Sequence, residues 1–245
     1  PVVFAGADGR PYRRLEYIES TAGGGQYINT EYIPNKDTKV VCRLRDDCTG
    51  STGSNGAAFG SRRGWAQEKA LYLWLWENGH HRPCYARAGA SEVRDGATFP
   101  FGEITTVTCQ GPSCSWVNDA GTTKDGITLA NGYNLDQETG FAPLTIFALN
   151  MPDAQGGCSP MDFWNFRLYS FKIYEGKKVK CDLKPCIDMT TGKVGLYDAA
   201  ARKFRGNAGS GEFLAGLPQG YERIEYIEST KYGESPKSGG QYIDT

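Results

Sequence analysis

Among the 245 residues, the stretch best suited to chemistry is six residues long. Residues 71–76 read Leu-Tyr-Leu-Trp-Leu-Trp. In a strand, successive side chains point to opposite faces. Leu71, Leu73 and Leu75 then share one side, and Tyr72, Trp74 and Trp76 the other. Sugar rings present apolar C–H faces that stack on such an aromatic ladder, and Trp and Tyr add a polar handle. Trp65 and His80, with Arg62, Arg63, Glu77 and Asn78, would supply the edges of a site. The ligand-contact candidates are therefore Tyr72, Trp74, Trp76, Trp65 and His80. The same ladder is good cross-strand packing, so the side of the strand that faces solvent decides between the readings.

Other chemistry has weaker support. A glycosidase needs two carboxylates flanking the scissile bond, most simply from acids at alternating positions of one strand. No such run exists. Glu16 and Glu19 would point to opposite faces. Asp46-Asp47, beside a Gly/Ser-rich turn, reads as a solvated loop. The expectation is no catalytic residue and no enzyme, with acids converging from different strands as the way it could fail. His80-His81, with Cys84 three residues on, lacks the third and fourth ligands of a zinc site and reads as an exposed loop. No metal or other cofactor is expected. Calcium stays open through the loop acids Asp46, Asp47, Asp119 and Asp153, though no ordered ligand motif joins them. Residues 206–211, Gly-Asn-Ala-Gly-Ser-Gly, precede no helix, so they read as a turn rather than a phosphate cradle.

The eight cysteines are even in number, which favours an oxidising compartment. Cys109 and Cys114 flank Gln-Gly-Pro-Ser, and Cys181 and Cys186 flank Asp-Leu-Lys-Pro. Each pair is a disulfide candidate that would close a small loop, contributing roughly 2 kcal/mol. Cys42 shares a strand face with Val40 and Leu44, as a core thiol would. Buried free thiols throughout are the competing reading.

These side chains need a scaffold, and the composition points to β structure. There are 32 Gly, 14 Tyr and 11 Phe, and short apolar runs alternate with turn residues. Strands are expected at 39–45, 57–60, 70–76, 104–109, 115–118, 144–150, 166–174, 179–183, 195–198 and 212–214, with a long loop over 125–140. Such spacing implies two packed antiparallel sheets. With 27 basic and 28 acidic residues there is no phosphate-binding stripe, which argues against nucleic acid. No apolar run is long enough to insert in a membrane.

The chain also repeats itself. Residues 12–21, Tyr-Arg-Arg-Leu-Glu-Tyr-Ile-Glu-Ser-Thr, return at 221–230 as Tyr-Glu-Arg-Ile-Glu-Tyr-Ile-Glu-Ser-Thr, and Gly-Gly-Gln-Tyr-Ile-Asn-Thr at 24–30 returns at 239–245 with Asp for Asn. The expected division is a lead-in at 1–11, a sandwich at 12–217, and the opening strands of a second, truncated repeat at 218–245. That second copy is expected to pair with a sheet edge.

Several segments, in order, resemble one group of proteins. They are Leu-Glu-Tyr-Ile-Glu-Ser-Thr at 15–21, Gln-Tyr-Ile-Asn-Thr at 26–30, Phe-Gly-Ser at 59–61, Arg-Leu-Tyr-Ser-Phe-Lys-Ile-Tyr-Glu at 167–175, Pro-Cys-Ile-Asp at 185–188 and Gly-Leu-Tyr-Asp at 195–198. Phe204, residues 207–211 and Phe213 complete the order. This resembles the laminin-G-like, concanavalin-A-like lectin-glucanase jelly rolls of bacterial and phage surface proteins, over about residues 12–216. The resemblance implies an all-β, two-sheet antiparallel sandwich, secreted or on the cell surface, that binds a glycan or a cell-surface or matrix ligand, with neighbouring repeat modules as further partners. Fold alone does not license an activity. The expected function is a non-catalytic carbohydrate-binding or adhesion module. The alternatives are a structural spacer joined by strand pairing and a glycoside hydrolase with dispersed carboxylates.

Overall fold

The computed structural model describes every residue except 1, 22, 48–54, 64–69, 78, 88–89, 95–98, 131–134, 136–141, 153–157 and 220–245. Among the described residues there is no helix, and twenty strands follow one another. The first seven are β1 Val3–Ala5, β2 Pro11–Arg14, β3 Ile18–Glu19, β4 Ile28–Asn29, β5 Thr38–Arg45, β6 Asn55–Arg62 and β7 Ala70–Glu77. Then come β8 His80–Arg87, β9 Ala90–Val93, β10 Thr105–Gln110, β11 Ser113–Asn118, β12 Lys124–Thr128, β13 Thr145–Ile146 and β14 Leu149–Pro152. The last six are β15 Cys158–Met161, β16 Arg167–Glu175, β17 Lys178–Asp188, β18 Val194–Asp198, β19 Lys203–Gly206 and β20 Leu214–Ala215.

They form two sheets. The larger runs β1-β2-β17-β16-β5-β10-β11-β12, with β18 and β19 continuing from β17 and with β3 and β20 attached to β16. The smaller runs β15-β14-β6-β7-β8-β9, with β13 and β4 beside β6. Pairing is antiparallel except between β14 and β6. The chain is an all-β sandwich.

Period-two alternation builds the core. In β5 every second residue is buried, placing Val40, Cys42 and Leu44 inward. Facing them from the smaller sheet are Phe59, Leu71, Leu73 and Leu75, all at most 1% exposed. Each fully buried leucine of this kind contributes about 1.5–3 kcal/mol. Phe59 meets Phe171 edge-on across the layers, with ring centroids 5.7 Å apart. The Tyr85 hydroxyl donates to Gly111 O at 2.9 Å, tying β8 to the β10–β11 hairpin. That hairpin turns through Gly111 at a φ of 55°, followed by Pro112, whose ring fixes φ near −65°.

Three sequence expectations need correction. The apolar run 144–150 is not one strand: it breaks at Phe147, whose φ is +71°, into β13 and β14. The expected loop over 125–140 begins as β12, paired with β11 from Trp116↔Asp125 to Ser113↔Thr128. Cys181 and Cys186 do not flank a loop, because both lie on β17. Five residues of extended chain span roughly 16 Å, far beyond the ~7 Å Cα separation a disulfide tolerates. Both thiols are instead buried, and burial pushes each up to about 12.

The motifs behind the resemblance turn out to be anchors of the fold. Asp198 accepts Nε and Nη2 of Arg205, both at 3.0 Å, inside the protein. The Gln26 amide bonds Thr21 Oγ1 and Glu212 O. Asn207 bonds four backbone groups of the 207–211 turn and its neighbour Tyr27. The second copy of the opening motif, from residue 220 on, lies outside the described residues.

Candidate functional site

Strand β7 is buried along its whole length, so its aromatic side is not an open platform. Tyr72 and Trp74 are 3% and 8% exposed. They stack on each other with centroids 4.4 Å apart and planes 29° apart. Around them the outer face of the sheet is small: Ala57, Ala70 and Ala86, with Cys84 and Leu149. Gly60 is also required there, since a Cβ would fall 2.4 Å from Leu149 Cδ1. The Arg62 guanidinium lies over both rings, 5.1 Å from the Tyr72 centroid and 5.7 Å from that of Trp74. Cation–π attraction of this kind is worth about 0.5–2 kcal/mol.

Trp76 leaves the ladder. The β7–β8 register shifts between Trp74 and Trp76, with Trp74↔Cys84 followed by Trp76↔His81. Arg82 and Pro83 therefore oppose the single residue Leu75, a bulge placed where proline has no amide hydrogen to give the ladder. The β6–β7 register shifts in the same stretch. Trp76 consequently stacks on Trp164, centroids 5.2 Å apart, within the core between the sheets. Gly56 makes room for this, because its Cβ would lie 2.1 Å from the Trp164 ring. Of the other candidates, His80 is exposed at the start of β8 opposite Glu77, away from Tyr72 and Trp74 along the strand, and Trp65 lies outside the described residues.

The functional group that sequence reading missed is Asp162. It follows β15 with a φ of +51°, a left-handed conformation that is uncommon for a residue with a side chain and that clusters at functional sites. Burial raises its pKa above the usual carboxylate value, opposed by the Arg62 charge and the Trp74 indole. Two donors beside it are short of acceptors. Arg62 Nε and Trp74 Nε1 are both buried without a hydrogen bond of normal geometry among the described residues. A buried donor left unsatisfied costs about 1–3 kcal/mol. The charge field continues to Cys84, whose thiol burial pushes up to about 12, with Glu77 raising it further and Arg62 and Arg82 opposing. Glu77 itself is a buried carboxylate held by Arg82 Nη2 at 2.6 Å. Asp162 and Arg62 thus stand beside the aromatic pair, with Glu77 and Arg82 farther along β7 and β8.

A second constellation lies behind the bulge. Asp46 is 1% exposed, not part of a solvated loop, because Trp164 Nε1 donates to its Oδ2 at 3.1 Å. His81 Nδ1 stands 3.8 Å from the same oxygen, and its ring packs on Trp76 and Phe101, so the His pair is not wholly an exposed loop either. Asp47 is bound to Arg45 and Arg167, and Asp119 to Arg43. Asp153 lies outside the described residues. Among the described residues no group of three or more His, Cys, Asp or Glu is placed to hold a metal ion. Cys109 and Cys114 are direct cross-strand partners, both buried among the core side chains.

No family model matches the chain, and no curated protein matches it. Similar folds exist among solved structures. NanB in complex with Optactamide gives a TM-score of 0.43 at 11% identity over 64% of this chain and 26% of that one. The full-length tailspike protein 2 of an Escherichia coli O157:H7 bacteriophage gives 0.42 at 12% identity over 73% and 25%. The bacteriophage CBA120 tailspike protein 2 enzymatically active domain gives 0.41 at 12% identity over 73% and 28%. The chain thus spans about a quarter of the length of each. Against the expectation of no enzyme stands one similar fold whose own description is an enzymatically active domain. At such TM-scores the likeness argues for no particular activity. Asp162 is an acid that no strand-by-strand search for alternating carboxylates would find.

Proposed function

We propose that this chain is a laminin-G-like, concanavalin-A-like domain of a secreted or cell-surface protein that acts on glycans at the outer face of its smaller sheet. Tyr72 and Trp74 form the apolar wall, and Arg62 and Trp74 offer N–H donors to sugar hydroxyls. Asp162, kept protonated to higher pH than a free carboxyl, serves as the proton donor, and Glu77 is the second carboxylate of the face. Retaining and inverting glycosidases both use a pair of carboxyl groups, one of them an acid with a raised pKa. This is the dispersed-carboxylate reading of the sequence. The observation that carries it is the coincidence of two buried donors without a hydrogen bond of normal geometry, Arg62 Nε and Trp74 Nε1, with a burial-raised carboxyl in a left-handed conformation that the Trp74 indole faces. The Arg62 guanidinium lies over the ring pair and is itself buried, so sugar entry requires the cover of this face to move.

The test is a panel of oligosaccharides assayed for binding by calorimetry and for release of reducing ends. Wild type is expected to bind and cleave at least one member. Trp74→Ala is expected to bind it at least tenfold more weakly, and Asp162→Asn to bind it with cleavage reduced at least a hundredfold. Unchanged binding and turnover in both folded variants would remove the site.

A further inference from the structure

The larger sheet divides on its own outer face. Strand β16 pairs with β17 from Glu175↔Lys178 to Phe171↔Leu183, then turns to β3 at Leu168↔Ile18 and Arg167↔Glu19. Strand β17 continues past Leu183 and takes β2 instead, at Cys186↔Arg14 and beyond. Between the two pairings lie Tyr169 and Ser170 on one arm and Lys184 and Pro185 on the other. The β16–β5 register also shifts between Leu168 and Ser170, a bulge of the kind found beside binding sites. The result is a cleft of about 340 Å³ at the fork.

Its lining is basic. Arg14, Arg43 and Lys184 reach it from three strands, and Glu16 is the one acid among the described lining residues. Arg43 lies over the Tyr169 ring at 5.2 Å and is held from outside the cleft by Asp119. Lys184 stands 3.8 Å from Asp182, which Lys172 approaches more closely at 3.4 Å. Arg14 has no carboxylate partner among the described residues; its guanidinium rests 5.6 Å from the Phe4 ring centroid. Asp119, Asp182 and Glu16 offset part of this charge, and Arg14 is the lining cation left without a carboxylate partner among the described residues. The Lys184 ammonium is held below its ordinary pKa, first by burial, then with Lys172, Arg14 and Arg43 adding to the effect against Asp182.

We infer that this fork binds a compact oxyanion, the carboxylate or sulfate ester of a ligand. Arg14 and Arg43 offer planar donor forks suited to such groups, Lys184 a point charge, and Ser170 a hydroxyl and backbone groups freed where β16 and β17 part. The site is separate from the Asp162 face and stands or falls without it.

The probes are sodium sulfate and sodium glucuronate, with sodium chloride at matched ionic strength, followed through amide resonances of Ser170 and Lys184 in the whole chain. Saturable shifts with sulfate or glucuronate but not with chloride are expected. Arg14→Gln/Lys184→Gln should weaken them at least tenfold, and Arg14→Gln alone, which breaks no ion pair, should weaken them while leaving the spectrum folded. Tighter binding of glucuronate would assign a carboxylated ligand, and tighter binding of sulfate a sulfated one. Shifts that follow ionic strength alone, or that persist equally in the folded Arg14→Gln variant, would overturn the inference.

Discussion

At the scale of single residues, buried Asp46 and half-buried Asp162 stand out, and neither was legible from its sequence neighbourhood. Asp46 looked like half of a solvated Asp-Asp turn, but period-two alternation continues through β5 and turns it inward onto Trp164 Nε1 and His81. Trp164→Phe removes that donor, so the buried carboxylate loses one of its hydrogen bonds. A loss of about 1–3 kcal/mol is expected, measured by urea unfolding; no change would mean that Asp46 is satisfied without it. Asp162 follows a short polar strand and carries no motif. Its carboxyl is raised in the folded state, so the folded protein binds its proton more tightly than the unfolded chain does. Its favourable contribution is therefore fully present below the unfolded carboxylate pKa and is lost as pH rises through the folded value. Asp162→Asn, which cannot ionise, should be more stable than wild type near pH 7, with the gap closing as pH falls through the raised folded value and gone below about 4. A wild type that outperforms the variant at pH 7 would reverse the assigned sign. Tyr72 and Trp74 were correctly placed on one face by alternation, whereas their burial depends on three-dimensional neighbours that the sequence does not order.

At the scale of elements, apolar alternation made the core strands β5, β7, β10, β11 and β16 readable. Strand β8 was not, because its opening His-His-Arg-Pro is polar and contains a proline, a residue that argues against an interior strand. The bulge at Arg82 and Pro83 resolves that conflict, and it is also what carries Trp76 out of the ladder. The arrangement depends on Gly56. Gly56→Ala would press a methyl into the Trp164 ring and is expected to cost about 1–3 kcal/mol, read as a lowered unfolding midpoint; an unchanged midpoint would mean that the ring has room to move. Cysteine spacing misled in one case of two. Cys181 and Cys186 share an extended strand, while Cys109 and Cys114 face each other across a hairpin one residue pair beyond the Gln110↔Ser113 closure. Cross-strand neighbours at such a position have Cα atoms about 4.5–5.5 Å apart, within disulfide range. Under oxidising refolding with oxidised glutathione, each disulfide formed reduces the oxidant to two glutathione thiols and lowers the protein mass by about 2 Da, the two hydrogens lost. Peptide mapping is expected to find a Cys109–Cys114 linkage and no Cys181–Cys186 linkage; the reverse would contradict the register.

At the scale of the molecule, the two-sheet sandwich was legible because strand spacing and turn chemistry agree along the whole chain. The partition of strands between sheets was not, since β16 and β17 each change partner partway along. The fold closes on itself by Gln219: Glu16 N donates to Leu217 O at 2.7 Å and Gln219 N to Arg14 O at 3.1 Å. A chain ending at Gly220 keeps every described strand and is expected to unfold in one cooperative transition in urea. A broad, non-cooperative transition would show that the repeated segment is needed to complete the core. The indole resonance of Trp74 reports on the outer face of the smaller sheet. Titrated with an oligosaccharide that the chain binds, the Trp74 Nε1–H signal, assigned through Trp74→Phe, is expected to move saturably as the buried donor gains an acceptor. Saturable binding of the sugar with that signal unmoved would contradict the account.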